Sequence, residues 1–144
     1  MNDATIAALA ALCAQQQDVF VAVGSIVQTE PDAAAKLVLL DVSSAAGALA
    51  VELHGALADA LGSPDEADRA VGEAATDVDA VDLSACASTA ERLASAAAAL
   101  AHARSLLDVV RGTSDASKAG ELVGRADAVL ASGMGRIDAV RAAG

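Results

Sequence analysis

The chain contains one phenylalanine, Phe20, and neither tyrosine nor tryptophan, so any core it forms must be filled almost entirely by alanine, leucine and valine. Alanine alone supplies 40 of the 144 residues. Alanine has the highest helix propensity, and the residue types that favour strands are confined here to valine, isoleucine and a few threonines. Small side chains also favour helices that pack closely. A length of 144 residues suits one domain with a real core. The expectation is an all-α protein forming a single domain over 1–144.

Hydrophobic spacing and capping residues divide the chain further. A first helix is predicted from about Ala4 to Val27, with Asn2 or Asp3 as N-cap and a stripe through Ile6, Leu9, Cys13, Gln16, Phe20, Val23 and Val27. "QTEPD" closes it. Pro31 fits only a first turn, so a second helix runs from there to Leu61, placing Leu39, Val42, Ala46, Leu49, Leu53, Ala56 and Ala60 at heptad spacing. Gly62 suits the residue after a helix end, and "SPDE" supplies a cap at Ser63, a proline at the first position and a capping-box glutamate. A third helix follows to about Val81, with a thin inner face (Ala67, Ala70 or Val71, Ala74, Val78, Val81) and a strongly acidic exterior. Ser88 and Glu91 open a fourth, Thr89 to Arg111, with Leu93, Ala96, Leu100, Ala103, Leu107 and Val110 in register. A fifth is predicted from about Asp115 through Ser132, pausing at "SGMG" before a short tail. Short connections between long helices imply antiparallel neighbours, hence an up-and-down antiparallel helical bundle of four to five helices.

Charge narrows the partners. A net charge of −11 and a pI near 4.3, with no run of Lys or Arg, disfavour nucleic acid and anionic membrane surfaces, both of which need cationic surface. The apolar stretch from Ala33 to Leu61 carries Lys36, Asp41, Glu52, His54 and Asp59, so no membrane span is expected. Cys13 and Cys86 make no disulfide framework, and the N-terminus lacks a basic leader, so a cytoplasmic location is expected.

Few residues can do chemistry. His54 stands in "LHGALADALG", which resembles the "HxLKG" signature of histidine-containing phosphotransfer domains, acidic four-helix bundles with an exposed histidine midway along a helix. That resemblance implies His54 as phosphoacceptor. The chain departs from the signature with Leu57 in place of its lysine and Ala58 in place of its glycine, while Gly55 directly follows the histidine. Around His102, Ser105 and Leu106 fill the corresponding positions. Neither cysteine has a nearby base, and no glycine-rich phosphate loop, zinc-spaced set or nucleophile elbow occurs. Asp77, Asp79 and Asp82 lack calcium-loop spacing. No catalytic residue, cofactor or metal is expected.

Small residues form the more informative pattern. Ala116, Gly120, Gly124, Ala128 and Ser132 recur every four residues on the fifth helix, a ridge almost without side chains; Ser43, Gly47 and Gly55 repeat it more weakly on the second. Glycine inside a helix costs about 1 kcal/mol relative to alanine, so such a ridge calls for a backbone approaching closely, either within the bundle or from a partner. The expected function is non-enzymatic: a structural, adaptor or assembly subunit that binds a protein, itself or another helical one, through Gly120, Gly124, Ala128 and Ser132, with Met134 and Ile137 as apolar anchors. Two alternatives are the phosphotransfer module using His54 and a chaperone for an amphipathic helical client.

Overall fold

The computed structural model describes residues 1–113 and 119–144, and among them are five helices and no strand: α1 (Asp3–Val27), α2 (Ala33–Leu61), α3 (Pro64–Ala75), α4 (Thr89–Arg111) and α5 (Gly120–Ala143). Three are capped as their sequences ask. Asn2 Oδ1 accepts from the Thr5 N–H at 2.8 Å, Ser63 Oγ from Glu66 at 3.2 Å and Ser88 Oγ from Glu91 at 3.1 Å. Glu91 also reaches back to accept from the Ala87 N–H. Gly62, at φ +94°, ends α2 in the left-handed conformation that glycine adopts without steric cost.

Long-range side-chain pairs give the helix directions. Ser43 on α2 donates to the Phe20 carbonyl on α1, and Cys13 to the Ala50 carbonyl, so α1 and α2 are antiparallel. Glu30, just past α1, meets Arg92 near the start of α4, and Thr5 at the other end meets Thr113 just past it, so α4 also opposes α1. Arg136 pairs with Asp41 and Arg125 with Glu52, setting α5 antiparallel to α2. The four long helices therefore alternate up and down, with α1 and α5 on one diagonal. Short α3 packs beside α1 and α2 at the end where α2 finishes.

Helix α1 is the inner rod. Thirteen of its 25 residues are buried, facing α2, α3 and α4 in turn. This explains why so much of it is apolar. On α4 every residue of the expected stripe is buried. On α2 the stripe holds from Leu39 to Leu53 and then moves to Leu57, leaving Ala60 exposed, because a straight helix at 3.6 residues per turn drifts from a strict heptad.

Three sequence expectations are corrected. Helix α3 stops at Ala75, not Val81: the Thr76 hydroxyl turns back onto the Glu73 carbonyl, and the Val81 N–H is taken by the Asp18 carboxylate of α1, which draws the acidic segment out along the bundle. Helix α5 does not pause at "SGMG" but continues to Ala143, because Gly133 faces Leu100, whose Cδ1 would lie 3.0 Å from a Cβ there. Phe20 is not in the core stripe of α1; it lies across Gly47 of α2, a seat with room only for hydrogen, since a Cβ there would stand 2.9 Å from the ring. The expected start of the fifth helix near Asp115, and Ala116 of the ridge, lie outside the described residues.

Candidate functional site

His54 Nε2 lies 2.7 Å from Asp68 Oδ1, linking α2 to α3. Leu57, at the position where the phosphotransfer signature has lysine, is fully buried, so no cation stands beside the imidazole on that side. Burial pushes the Cys13 thiol up to about 11, which keeps it protonated and unreactive; Cys86 is half-buried, and both are free thiols. Asp82 is held below the usual carboxylate range by hydrogen bonds from the Ser84 hydroxyl and N–H. Among the described residues no group of three His, Cys, Asp or Glu side chains could hold a metal ion.

The ridge on α5 faces outward. Gly120, Gly124, Ala128 and Ser132 are all exposed, and a Cβ on either glycine would meet nothing within 4 Å among the described residues. Met134 is half-buried, with its sulfur near Arg104. Ile137 is fully buried and belongs to the core in this conformation, so it is not placed to anchor a partner. Among the described residues, the close approaches that glycine permits within the bundle are at Gly24, Gly47 and Gly133, not on the ridge.

A different surface presents large apolar side chains. Phe20 and Val21 on α1, and Leu37, Leu40 and Val51 on α2, are 45%, 66%, 64%, 47% and 73% exposed. On α2 they belong to a second heptad-spaced stripe, Leu37, Leu40, Ser44, Gly47, Val51 and His54, turned about 150° around the helix from the buried one. Helix α3 covers the α1/α2 hairpin only near the end of α2, leaving this stripe uncovered. Scattered apolar residues on a surface are ordinary, but five large ones on these two helices, on the order of 500 Å², match the largest patch of a typical monomer.

A second feature is a groove between α2 and α5. It holds a cavity of about 320 Å³ with Leu100 and Gln16 among its lining. Gln16 is fully buried, and its Oε1 is the one buried side-chain N or O atom among the described residues with no hydrogen-bond partner. Such an acceptor costs about 1–3 kcal/mol.

By length and composition α1, α2 and α4 could each cross a membrane. Over half of the most apolar window of α1 is buried in the bundle, and less than half of the windows of α2 and α4. For α2 the remainder includes the uncovered stripe. No family model, curated protein or solved structure matches this chain.

The α1/α2 face was legible only in part. Sequence periodicity finds the buried stripe of α2 and passes over the parallel one, although Leu37, Leu40 and Val51 are spaced just as regularly.

Proposed function

We propose that the protein is a non-enzymatic assembly subunit that pairs with a second copy of itself through the α1/α2 face, in water and in a reducing compartment such as the cytoplasm. The observation that carries this reading is the exposed band of Phe20, Val21, Leu37, Leu40 and Val51. Its layout suits self-pairing. Leu37 and Val51 each lie seven residues from Ser44, so a second copy crossing antiparallel at Ser44 sets Leu37 over Val51 twice, as an isologous contact requires. Small exposed residues at the crossing, Ser44 and Ala48, let the backbones approach. Lys36, exposed at one end of the band, would then face the His54–Asp68 pair of the second copy.

Magnitudes set the expected strength. Burying about 500 Å² of apolar surface on each copy contributes roughly 25 kcal/mol at about 25 cal/mol per Å² for the pair, and half that on a conservative count of area removed. Lost rigid-body freedom costs about 4–15 kcal/mol, and ordering of side chains costs more. A micromolar dimer is the outcome expected of such a face. The net charge of −11 on each copy opposes association, so added salt should strengthen it.

The same reading keeps α1, α2 and α4 out of a bilayer. Supporting it are the ion pairs that α2 makes along its length, Asp41 with Arg136 and Glu52 with Arg125, which would be costly in hydrocarbon. Static light scattering from detergent-free protein between 1 and 200 µM (roughly two decades about the expected constant) tests it. A mass rising from monomer to dimer, and held at monomer by Val51→Glu, is expected. Protein that is soluble only in detergent would contradict it.

A further inference from the structure

We infer that the cleft between α3 and α4, floored by α1, binds a lipophilic amine: a protonated primary ammonium group on an aliphatic tail, with the ammonium at the C-terminal end of α3. The first observation is shape. Helices α3 and α4 both pack on α1 and leave a gap between them, which holds a cavity of about 510 Å³. That volume falls in the range of small-molecule sites, which are largely apolar with a few convergent polar groups. Ile6, Ala10, Leu61, Ala74, Val78 and Leu106 give it an apolar interior. After α3 the chain crosses α1, where Asp18 accepts from the Val81 N–H, and reaches α4, where Asp79, Val81 and His102 line a neighbouring cavity of about 380 Å³. This crossing closes one end of the cleft, so a long helix laid along it would be blocked and a small molecule would not. The floor on α1, from Asp3 to Ala11, is about 12 Å long at 1.5 Å per residue, roughly the reach of an extended eight-carbon chain.

The second observation is charge, and it is independent of shape. Asp3, Glu73, Asp77 and Asp79 line the cleft, and no lysine or arginine among the described residues does. None of the four is in an ion pair among the described residues, whereas six of the seven arginines are held by acids elsewhere. Asp3 lies in the first turn of α1, where the positive helix end offsets its charge. The other three gather at a helix end of the opposite sign. Glu73 is in the last turn of α3, Asp77 and Asp79 follow it, and that turn carries no basic residue. Three carboxylates and the negative end of a helix dipole thus converge on an apolar-walled cleft, an arrangement that concentrates cations. His102, half-buried at the closed end and without a hydrogen-bond partner among the described residues, adds a ring nitrogen that can accept from an ammonium N–H. An aliphatic tail then covers Ala10, Ala74 and Leu106. The cleft shares no residue with the exposed band on α1 and α2, so binding here and pairing there are separable.

The test uses the full-length protein with octylammonium, octanol and octanoate, three probes that share a tail and differ in the charge of the head. Binding is read from the backbone amide NMR shifts of Ala10, Ala74 and Leu106. Saturable shifts at those residues with octylammonium, about tenfold weaker with octanol as expected for loss of a charge-assisted hydrogen bond, and none with octanoate, support the proposal. The double variant Asp77→Asn, Asp79→Asn changes two exposed positions and should keep the helical signal. It should weaken octylammonium about tenfold and leave octanol within about twofold, because only the charged head loses its partners. Absence of saturable shifts at the cleft, octanol or octanoate binding as tightly as octylammonium, or undiminished octylammonium binding to the double variant would overturn it. The comparison of the three probes needs no variant, so it stands even if the double variant does not fold.

Discussion

Replacing Glu30 by alanine should unlock the end of the bundle where α1 hands over to α2 and α4 begins. The Glu30 side chain is fully buried, and its carboxylate accepts from the Thr89 hydroxyl, the Asp32 N–H and, at 2.8 Å, the Arg92 guanidinium. Desolvation by itself would raise its pKa, but the three hydrogen bonds and the charge of Arg92 outweigh it and hold the carboxyl below its usual range. Removing one partner of a buried pair costs about 3–5 kcal/mol because the other charge is left uncompensated. Arg92 retains 17% exposure and can turn to water, so the expected loss is nearer about 2–3 kcal/mol. For a chain of this length that lowers the melting temperature by roughly 10 °C. Urea unfolding followed by far-UV circular dichroism measures it directly, with an unchanged slope showing that the variant folds to the same compactness. A pH series adds a sharper criterion. Because the folded pKa is lowered, the contribution is fully present above the unfolded value, about 4.3, and is lost as pH falls below that value and through the folded one. The gap between the unaltered protein and Glu30→Gln should therefore be constant from neutrality to about pH 5 and close in stronger acid. A loss below about 0.5 kcal/mol for Glu30→Ala, or a gap that widens in acid, would refute the reasoning.

Gly124→Ala should stabilise the protein by about 0.5–1 kcal/mol, since the position is helical, exposed and has nothing within 4 Å of a Cβ; chemical denaturation checks it, and destabilisation would show that another part of the chain packs there. With an aromatic disulfide reagent the folded protein should release about one equivalent rapidly, from half-buried Cys86, and the second only on unfolding, because Cys13 is fully buried with its thiol at about 11. Rapid release of both would contradict the packing of Cys13 against α2. Ser88→Ala should cost about 1 kcal/mol by uncapping α4, as read from the denaturation midpoint, and no change would show that the cap is not needed there.

Most of the architecture was legible because it rests on local signals. Ser63 and Ser88 announce helix starts, Gly62 an end, and the α4 stripe from Leu93 to Val110 is buried as spaced. What failed locally was decided by distant groups. The end of α3 depends on Asp18, some 60 residues earlier, capturing the Val81 N–H, and the continuity of α5 through "SGMG" depends on Leu100 filling the space at Gly133. The exposed apolar face was harder still. Glycines Gly120 and Gly124 are unusual inside a helix, yet they are exposed with nothing against them among the described residues. Leu37, Leu40 and Val51 look ordinary in sequence and become informative only once the structure shows that no helix covers them. The Gln16 acceptor is invisible to periodicity, because its lack of a partner depends on which way Gln15 and the Ala99 carbonyl face.

Sedimentation equilibrium of the unaltered protein beside Leu37→Glu, at low and high salt, tests the central claim most directly. Pairing through the α1/α2 face requires a dimer of about micromolar affinity that tightens with salt and is lost in Leu37→Glu without a fall in helical content. A protein that stays monomeric at every concentration and salt, or a dimer that Leu37→Glu leaves intact, would contradict it.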